Sequence, residues 1–253
     1  MSDLTTVTGL AALQNAAWPG LTTSDTGSWL LRAADGVTQR ANSVWPYAAV
    51  EDLDAAIREA ESWYRARRLP ALFQLTSDPA DAALDARLEA LGYRVQTPTV
   101  LMVRDGSGAP VASSAVEVSP VLTQEWFDAW WLTSGHGRPE AAATARAILE
   151  KGDSHYALMR DDAGEVAAVG QSIRVGAFAG IYGMATREAQ RRCGHARALL
   201  GTLLGADPEV TGFWLSVTRS NSGAQALYRE AGFRPAGEYW YRSAPLTRGP
   251  TGC

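Results

Sequence analysis

The chain has 253 residues, of which 46% are hydrophobic, and its formal net charge is −4 at pH 7. This length allows one large domain or two small ones with a sizeable core, and the acidic balance argues against a nucleic-acid-binding surface. No apolar run reaches the roughly 18 residues of a membrane-spanning helix, and the N-terminus has no secretory pattern. The two cysteines, Cys193 and Cys253, and three histidines without ligand spacing predict neither disulfides nor a metal site. We therefore expect a cytoplasmic protein that binds neither membrane nor metal.

The first hundred residues predict helices that alternate with short strands. The expected elements are a helix within 1–20, a hairpin of 27–32 and 37–44, a helix over 52–68, a strand at 72–75, a helix over 81–91 and a strand at 98–104. The turn Asp35-Gly36 joins the hairpin, Pro70 ends the longer helix, and Gly92 closes the shorter one.

The composition changes after residue 105. Residues 105–114 consist mainly of Gly, Ser, Ala and Pro, which predicts a linker between an N-terminal domain of residues 1–105 and a C-terminal domain of residues 115–245. In the second domain we expect a strand at 116–118, helices over 124–133 and 140–150, a hairpin of 154–160 and 166–175, strands at 178–186 and 212–218, helices after 194 and over 222–231, and strands within 233–242.

The stretch 180–233 contains the most informative pattern. The turn at residues 191–196 places Gly194 at the mouth of a predicted helix, and this helix carries an apolar stripe of leucines at 199, 200, 203 and 204. A helix N-terminus presents unpaired N–H groups and partial positive charge, so it attracts phosphates. Glycine at this position lets a ligand approach the backbone closely.

Two motifs in this stretch, in this order, resemble those of the GNAT N-acyltransferases. Residues 191–196 fit the pattern Arg/Gln-x-x-Gly-x-Gly/Ala, and residues 221–233 fit Asn-x-x-Ala-x-x-Leu-Tyr-x-x-x-Gly-Phe. The resemblance implies an α/β (α+β) fold, with a mixed, mostly antiparallel sheet, splayed central strands and flanking helices. It also implies acetyl-CoA as co-substrate. The chain departs from the pattern at Glu188, Cys193 and His195, where members often have proline, glycine and an aliphatic residue.

The resemblance also implies roles for particular residues. The cofactor would be bound by Met184, Ala185, Thr186, Arg191, Arg192, Cys193, Gly194, His195, Ala196 and Asn221. Backbone amides near Met184 would polarise the thioester carbonyl, and Tyr228 would give a proton to the leaving thiolate. Each of these residues also has a purely structural explanation. Gly183 could be an ordinary glycine of an edge strand, Tyr228 a core aromatic residue, and Asn221 a helix cap. The two arginines could form a solvent-exposed face, and His195 could be structural or exposed.

The acceptor side is less defined. Trp126, Trp130, Trp131 and His136 lie where GNAT proteins usually place their acceptor-binding helices and loop, so an aromatic acceptor pocket is a hypothesis. Core packing against the N-terminal half is the competing interpretation. Glu125, Glu165 and Glu188 are candidate bases, as is a chain of water molecules, and each carboxylate is also readable as a surface charge. The acceptor, a small-molecule amine or a peptide, is not identified, and neither is the choice between monomer and homodimer.

Residues 73–94 align without gaps to residues 213–234, with Gly92-Tyr93-Arg94 on Gly232-Phe233-Arg234. The N-terminal half is therefore interpreted as a degenerate GNAT-like domain, unless the similarity reflects only a common helix exit. Three functions are considered, and Tyr228 favours the first over the second, since a sensor has no need of a proton donor. The first is an N-acetyltransferase that acts by direct transfer to a primary amine in a ternary complex. The second is a non-catalytic acyl-CoA sensor. The third is an α/β protein whose motifs are accidental.

Overall fold

The computed structural model describes residues 4–106, 112–134 and 139–244. Within these ranges the helices are α1 (Val7–Ala17), α2 (Leu53–Arg65), α3 (Ala82–Ala90), α4 (Gln124–Ser134), α5 (Ala142–Leu149), α6 (His195–Leu204) and α7 (Ser222–Glu230). The strands are β1 (Thr22–Asp25), β2 (Trp29–Ala33), β3 (Val44–Pro46), β4 (Leu72–Thr76), β5 (Arg94–Asp105), β6 (Val116–Ser119), β7 (Asp153–Arg160), β8 (Val166–Val175), β9 (Phe178–Thr186), β10 (Gly212–Thr218) and β11 (Arg234–Ser243). The middle of the predicted linker, His136 and Cys253 lie outside the described residues.

The larger of two compact units comprises the described residues of Met1–Pro19 and Thr99–Gly237. Its strands follow the order β5-β10-β9-β8-β7-β6, and neighbours are antiparallel except for β9 and β10, which are parallel. On one face the leucines of α6 are buried together with Ile181 and Leu215. On the other face α1 and α4 pack against β8 and β9, and Trp18 stacks on Tyr182. The predicted mixed, mostly antiparallel sheet with flanking helices is confirmed.

The smaller unit comprises the described residues of Gly20–Pro98 and Glu238–Cys253. Here β1, β2, β3 and β4 are neighbours in that order, and the end of β11 pairs antiparallel with β4 from Tyr239↔Thr76 to Ser243↔Leu72. The core contains side chains from α2, α3 and the strands, including Tyr64, Phe73 and Leu88, each 0% exposed. This unit therefore has a hydrophobic core of its own.

The predicted hairpin in the smaller unit forms differently. Strand β2 pairs with β3, which begins only at Val44, because residues 35–43 form a loop that includes a short 3-10 helix at Arg40–Asn42. The buried side chain of Asn42 holds this loop: its Oδ1 accepts from the N–H of Ala34 and Gly36, at 2.7 and 2.9 Å, and its Nδ2 donates to the carbonyl of Val37 at 2.7 Å. A single amide thus satisfies backbone groups that an extended strand would have paired.

The two aligned segments fold alike. Residues 73–94 and 213–234 both run through a strand, a nine-residue helix (α3 or α7) and the start of another strand. Each helix is followed by a glycine in the left-handed region, Gly92 at φ 84° and Gly232 at φ 87°. The compact units are not the two contiguous segments expected, since α1 packs with the larger unit. A degenerate GNAT-like domain in residues 1–105 stays a prediction.

Candidate functional site

A cleft of about 800 Å³ opens in the larger unit. Its walls are the end of β9, the turn before α6, the first turn of α6, one face of α7 and Thr133 at the end of α4. Among the residues expected to bind a cofactor, those that line the cleft are Met184, Ala185, Thr186, Arg191, Arg192, Gly194, His195, Ala196 and Asn221. Tyr228 lines it as well, whereas Cys193 lies outside the lining, exposed, with its Sγ 3.6 Å from the carbonyl of Arg191.

The mouth of α6 forms one end of the cleft. Gly194 is the N-cap residue and has φ 86°, and Arg192, two residues earlier, also lies in the left-handed region at φ 68°. No side chain caps this helix in the structure as described, and a Cβ placed on Gly194 would meet no atom within 4 Å. The mouth of α6 therefore has neither a capping side chain nor an atom crowding Gly194, as an anion site at a helix N-terminus requires.

The charged side chains at this end differ in how they are held. Arg191 and Arg192 are exposed. Arg197 forms an ion pair with Glu230 of α7, which is the one carboxylate among the described lining residues. The Nε2 of His195 lies 3.2 Å from Gln190 Oε1, while its buried Nδ1 has no hydrogen-bond partner among the described residues. The cleft thus presents an excess of positive charge at the helix mouth.

Two features of β9 open the other end of the cleft. The parallel pairing with β10 runs from Phe178↔Gly212 to Ile181↔Leu215, whereas the strands continue to Thr186 and Thr218. The two strands therefore diverge along their last residues, an arrangement that the resemblance of the motifs implied.

A β-bulge lies in the diverging part of β9. Tyr182 pairs with Gln171 and Ala185 with Val169, so two residues, Gly183 and Met184, stand opposite one residue of β8. Gly183 has φ 60°, a conformation that glycine adopts without strain. A glycine in the middle of a strand is typical of such a bulge. The bulge disrupts the ladder beside Met184, which lines the cleft.

Tyr228, on α7, lines the same cleft as the end of β9. Its side chain is 7% exposed and packs edge-on against Phe233, with ring centroids 6.1 Å apart. Burial raises the pKa of Tyr228 to about 12, so the phenol stays protonated at neutral pH. Asn221 caps the same helix, since its Oδ1 accepts from the N–H of Ala224 at 3.1 Å, and it also lines the cleft. Both functions considered for Asn221 are thus geometrically compatible.

The tryptophans of α4 are largely packed into the larger unit. Trp126 is 1% exposed and donates its Nε1–H to the carbonyls of Ala157 and Gly170, at 2.9 and 3.1 Å, and Trp130 is 4% exposed and stacks on it. These are contacts of core residues. Trp131 is partly exposed and stacks on Phe127.

The candidate bases lie outside the described lining of the cleft. Glu125 is held by Arg160, whose Nη2 is 2.7 Å from its Oε2, and this hydrogen bond keeps the pKa of Glu125 below its ordinary value. Glu165 and Glu188 are exposed.

Sequence reasoning missed other residues that line the cleft, notably Thr133, Arg197 and Glu230. Helical spacing from Gly194 and Tyr228 could have suggested the last two. Within the described chain no group of acidic, histidine or cysteine side chains could hold a metal ion.

Comparisons with known proteins match nearly the whole chain. The family described as "Probable histone acetyltransferase Rv0428c C-terminal" matches residues 8–242. An uncharacterised N-acetyltransferase, YobR of Bacillus subtilis strain 168, is 27% identical over 252 residues, covering 96% of this chain and 99% of the relative. A GCN5-related N-acetyltransferase from Kribbella flavida has a similar fold, with a TM-score of 0.72 at 17% identity over 96% of this chain and 97% of its own. A tandem GNAT protein from the clavulanic acid biosynthesis pathway gives a TM-score of 0.62 at 16% identity, covering 96% and 89% of the two chains.

Proposed function

This chain belongs to the GNAT family of N-acetyltransferases and is an enzyme of that type, and on this premise we propose how it acts. It uses acetyl-CoA as co-substrate and transfers the acetyl group directly to a primary amine of a small molecule or peptide, in a ternary complex. The thioester supplies the activated acetyl group, and the protein supplies the binding, the orientation and the proton placement described below.

The diphosphate of coenzyme A binds at the mouth of α6. Support comes from the free space at Gly194, the uncapped first turn and the exposed guanidinium groups of Arg191 and Arg192. The cavity volume of about 800 Å³ lies within the range of small-molecule and cofactor sites. Met184, Ala185 and Thr186 offer backbone groups to the pantetheine arm, since β9 has left β10 at this point.

The thioester then lies between the bulge of β9 and the hydroxyl of Tyr228. A backbone N–H of the bulge, at Met184 or its neighbours, polarises the carbonyl as an oxyanion donor. Tyr228 donates from its protonated hydroxyl to the leaving sulfur, where negative charge develops. The amine loses its proton to water, because no carboxylate of the described lining except the paired Glu230 is available.

The observation that carries this proposal is that one cleft unites both motifs with the diverging end of β9. An acyl-CoA sensor would need the helix mouth and the diverging strands, but it would not need a protonated phenol beside the sulfur. The buried, protonated Tyr228 therefore favours the enzyme over the sensor.

We further propose that the protein is cytoplasmic and acts as a monomer or homodimer. Cys193 is an exposed free thiol, which fits a reducing compartment. No helix among the described residues is long and apolar enough to cross a membrane.

The test combines calorimetry with a screen of amines. Titration with coenzyme A and acetyl-CoA should give saturable binding at one site per chain, and mass spectrometry of an amine panel with acetyl-CoA should reveal an acetylated product. Binding without any product would favour the sensor, and absence of binding would overturn both readings.

A further inference from the structure

The bulge of β9 is enclosed on the face that α4 covers. A Cβ placed on Gly183 would lie 3.1 Å from Cη2 of Trp126 and 3.5 Å from Cδ1 of Trp130. The space beside the bulge on this face is therefore filled by two indole rings at van der Waals distance. Both residues are almost fully buried, at 1% and 4% exposure.

The opposite face of the bulge is filled as well. A Cβ placed on Gly170, which stands opposite the bulge on β8, would lie 2.5 Å from Sδ of Met184 and 3.1 Å from Cδ1 of Leu203. Met184 is a flexible side chain that adapts its shape to what it contacts. The indole rings are rigid by comparison, so the α4 face is the firmer wall.

One face of α4 leads from the cleft to this wall. Trp126, Trp130 and Thr133 are spaced by four and three residues, which places them on the same side of the helix. Thr133 lines the cleft, whereas Trp130 lies one turn earlier in the helix, beside Gly183, and Trp126 lies about one further turn earlier. The same side of α4 therefore contributes Thr133 to the cleft and two indole rings to the packing around the bulge.

Trp126 holds Trp130 in place. The Nε1–H of Trp126 is bonded to two strand carbonyls, and the ring of Trp130 stacks on it at 6.2 Å with an interplanar angle of 19°. Trp126 is held by its two hydrogen bonds and supports the ring of Trp130. Replacing Trp130 would therefore open space beside Gly183 while leaving the hydrogen bonds of Trp126 in place.

We propose that Trp130, backed by Trp126, closes the acyl end of the cleft and restricts the acyl donor to acetyl-CoA. The inference rests on the proposed function, which places the thioester carbonyl at the bulge. An acyl chain longer than acetyl on that carbonyl would extend beside Gly183, where it would meet the two indole rings. Trp130 is thus a specificity-determining residue for the length of the transferred group.

The experiment measures the affinities of coenzyme A, acetyl-CoA, butyryl-CoA and hexanoyl-CoA by calorimetry. In an open apolar channel each added methylene would strengthen binding by up to about fourfold. For the wild type we expect no gain beyond acetyl-CoA and a loss of at least about tenfold for hexanoyl-CoA. In Trp130→Leu the order should change, with butyryl-CoA bound at least as tightly as acetyl-CoA.

The matched control is Trp131→Leu, because this neighbouring ring contacts Phe127 and Trp130 but is not among the atoms nearest to a Cβ placed on Gly183. It should keep the wild-type order of affinities. An affinity of the wild type that rises with chain length would overturn the proposal even if Trp130→Leu fails to fold, and so would an unchanged order in a folded Trp130→Leu. Binding of coenzyme A itself separates failure of the proposed function from failure of the proposed role of Trp130. If coenzyme A does not bind, the proposed function is wrong. If it binds but the length of the acyl chain does not change the affinity, only the role of Trp130 is wrong.

Discussion

Replacing Tyr228 by phenylalanine removes one hydroxyl from the cleft and leaves the packing intact. The ring would keep its edge-on contact with Phe233, at a centroid distance of 6.1 Å, and it would stay buried, since Tyr228 is only 7% exposed. We therefore expect Tyr228→Phe to fold as the wild type does and to bind acetyl-CoA with nearly the same affinity.

The size of the catalytic effect follows from the pKa of Tyr228. Burial raises it to about 12, whereas a thiol has a pKa of about 8.5. Complete proton transfer from the phenol to a thiolate would then be uphill by about 3.5 units, or roughly 5 kcal/mol. The hydroxyl thus acts as a hydrogen-bond donor to the developing thiolate, an interaction worth roughly 1.5–3 kcal/mol. The corresponding loss of kcat is about 10²-fold, and not the 10⁴-fold of the strongest general acids.

The assay follows thiol release from acetyl-CoA in the presence of the amine that the screen identifies, with acetyl-CoA affinity measured by calorimetry. Tyr47→Phe is the control, because Tyr47 is exposed and its hydroxyl bonds to Asp25 at 2.6 Å, outside the described lining of the cleft. A kcat within about threefold of the wild type would remove Tyr228 from the mechanism. Since a phenol stays protonated below its pKa, an alkaline loss of kcat near pH 8–9 that disappears in Tyr228→Phe would refute the reasoning from burial.

Three further predictions concern the helix mouth, the α7 cap and acid stability. Gly194→Val and Gly92→Val should each lose about 1–2 kcal/mol of stability, because both glycines have φ near 85° and open surroundings, but only Gly194→Val should weaken coenzyme A binding, by at least about tenfold in calorimetry. Asn221→Asp should retain the cap and its melting temperature yet bind coenzyme A more weakly, since it adds negative charge to the cleft; equal affinity would exclude Asn221 from the cofactor site. The hydrogen bond from Arg242 lowers the pKa of Asp85 from 3.8, so this stabilisation is present above that pH and is lost as the pH falls through the folded-state value; urea midpoints should drop more steeply below pH 4 in the wild type than in Asp85→Asn, and parallel curves would contradict this.

The elements of the cleft were more predictable than its walls. The strand Phe178–Thr186, the helix after Gly194 and the helix of Tyr228 all follow from local apolar spacing and local glycines. The hairpin after Asp35-Gly36 was predicted with the wrong second strand, because the buried side chain of Asn42 competes for the loop backbone. A side-chain contact of this kind leaves no periodic signal in the sequence.

The roles of the tryptophans could not be determined from residue type. A cluster of aromatic residues is compatible both with the lining of an acceptor pocket and with packing in the hydrophobic core. Which of the two applies depends on the strands against which the rings pack. Trp126 is a core residue because the carbonyls of Ala157 and Gly170, on two neighbouring strands, both accept its N–H.

By itself the sequence determined the family motifs, the left-handed glycine at the mouth of α6 and the position of Tyr228 on α7, because each depends on residues within a few positions along the chain. Only the tertiary structure decided that β9 leaves β10 after Ile181, that the bulge stands opposite Gly170, and that two indole rings of α4 pack against Gly183. These features arise from pairing and packing between segments that are distant in sequence, where local propensity carries no information about which partner is chosen.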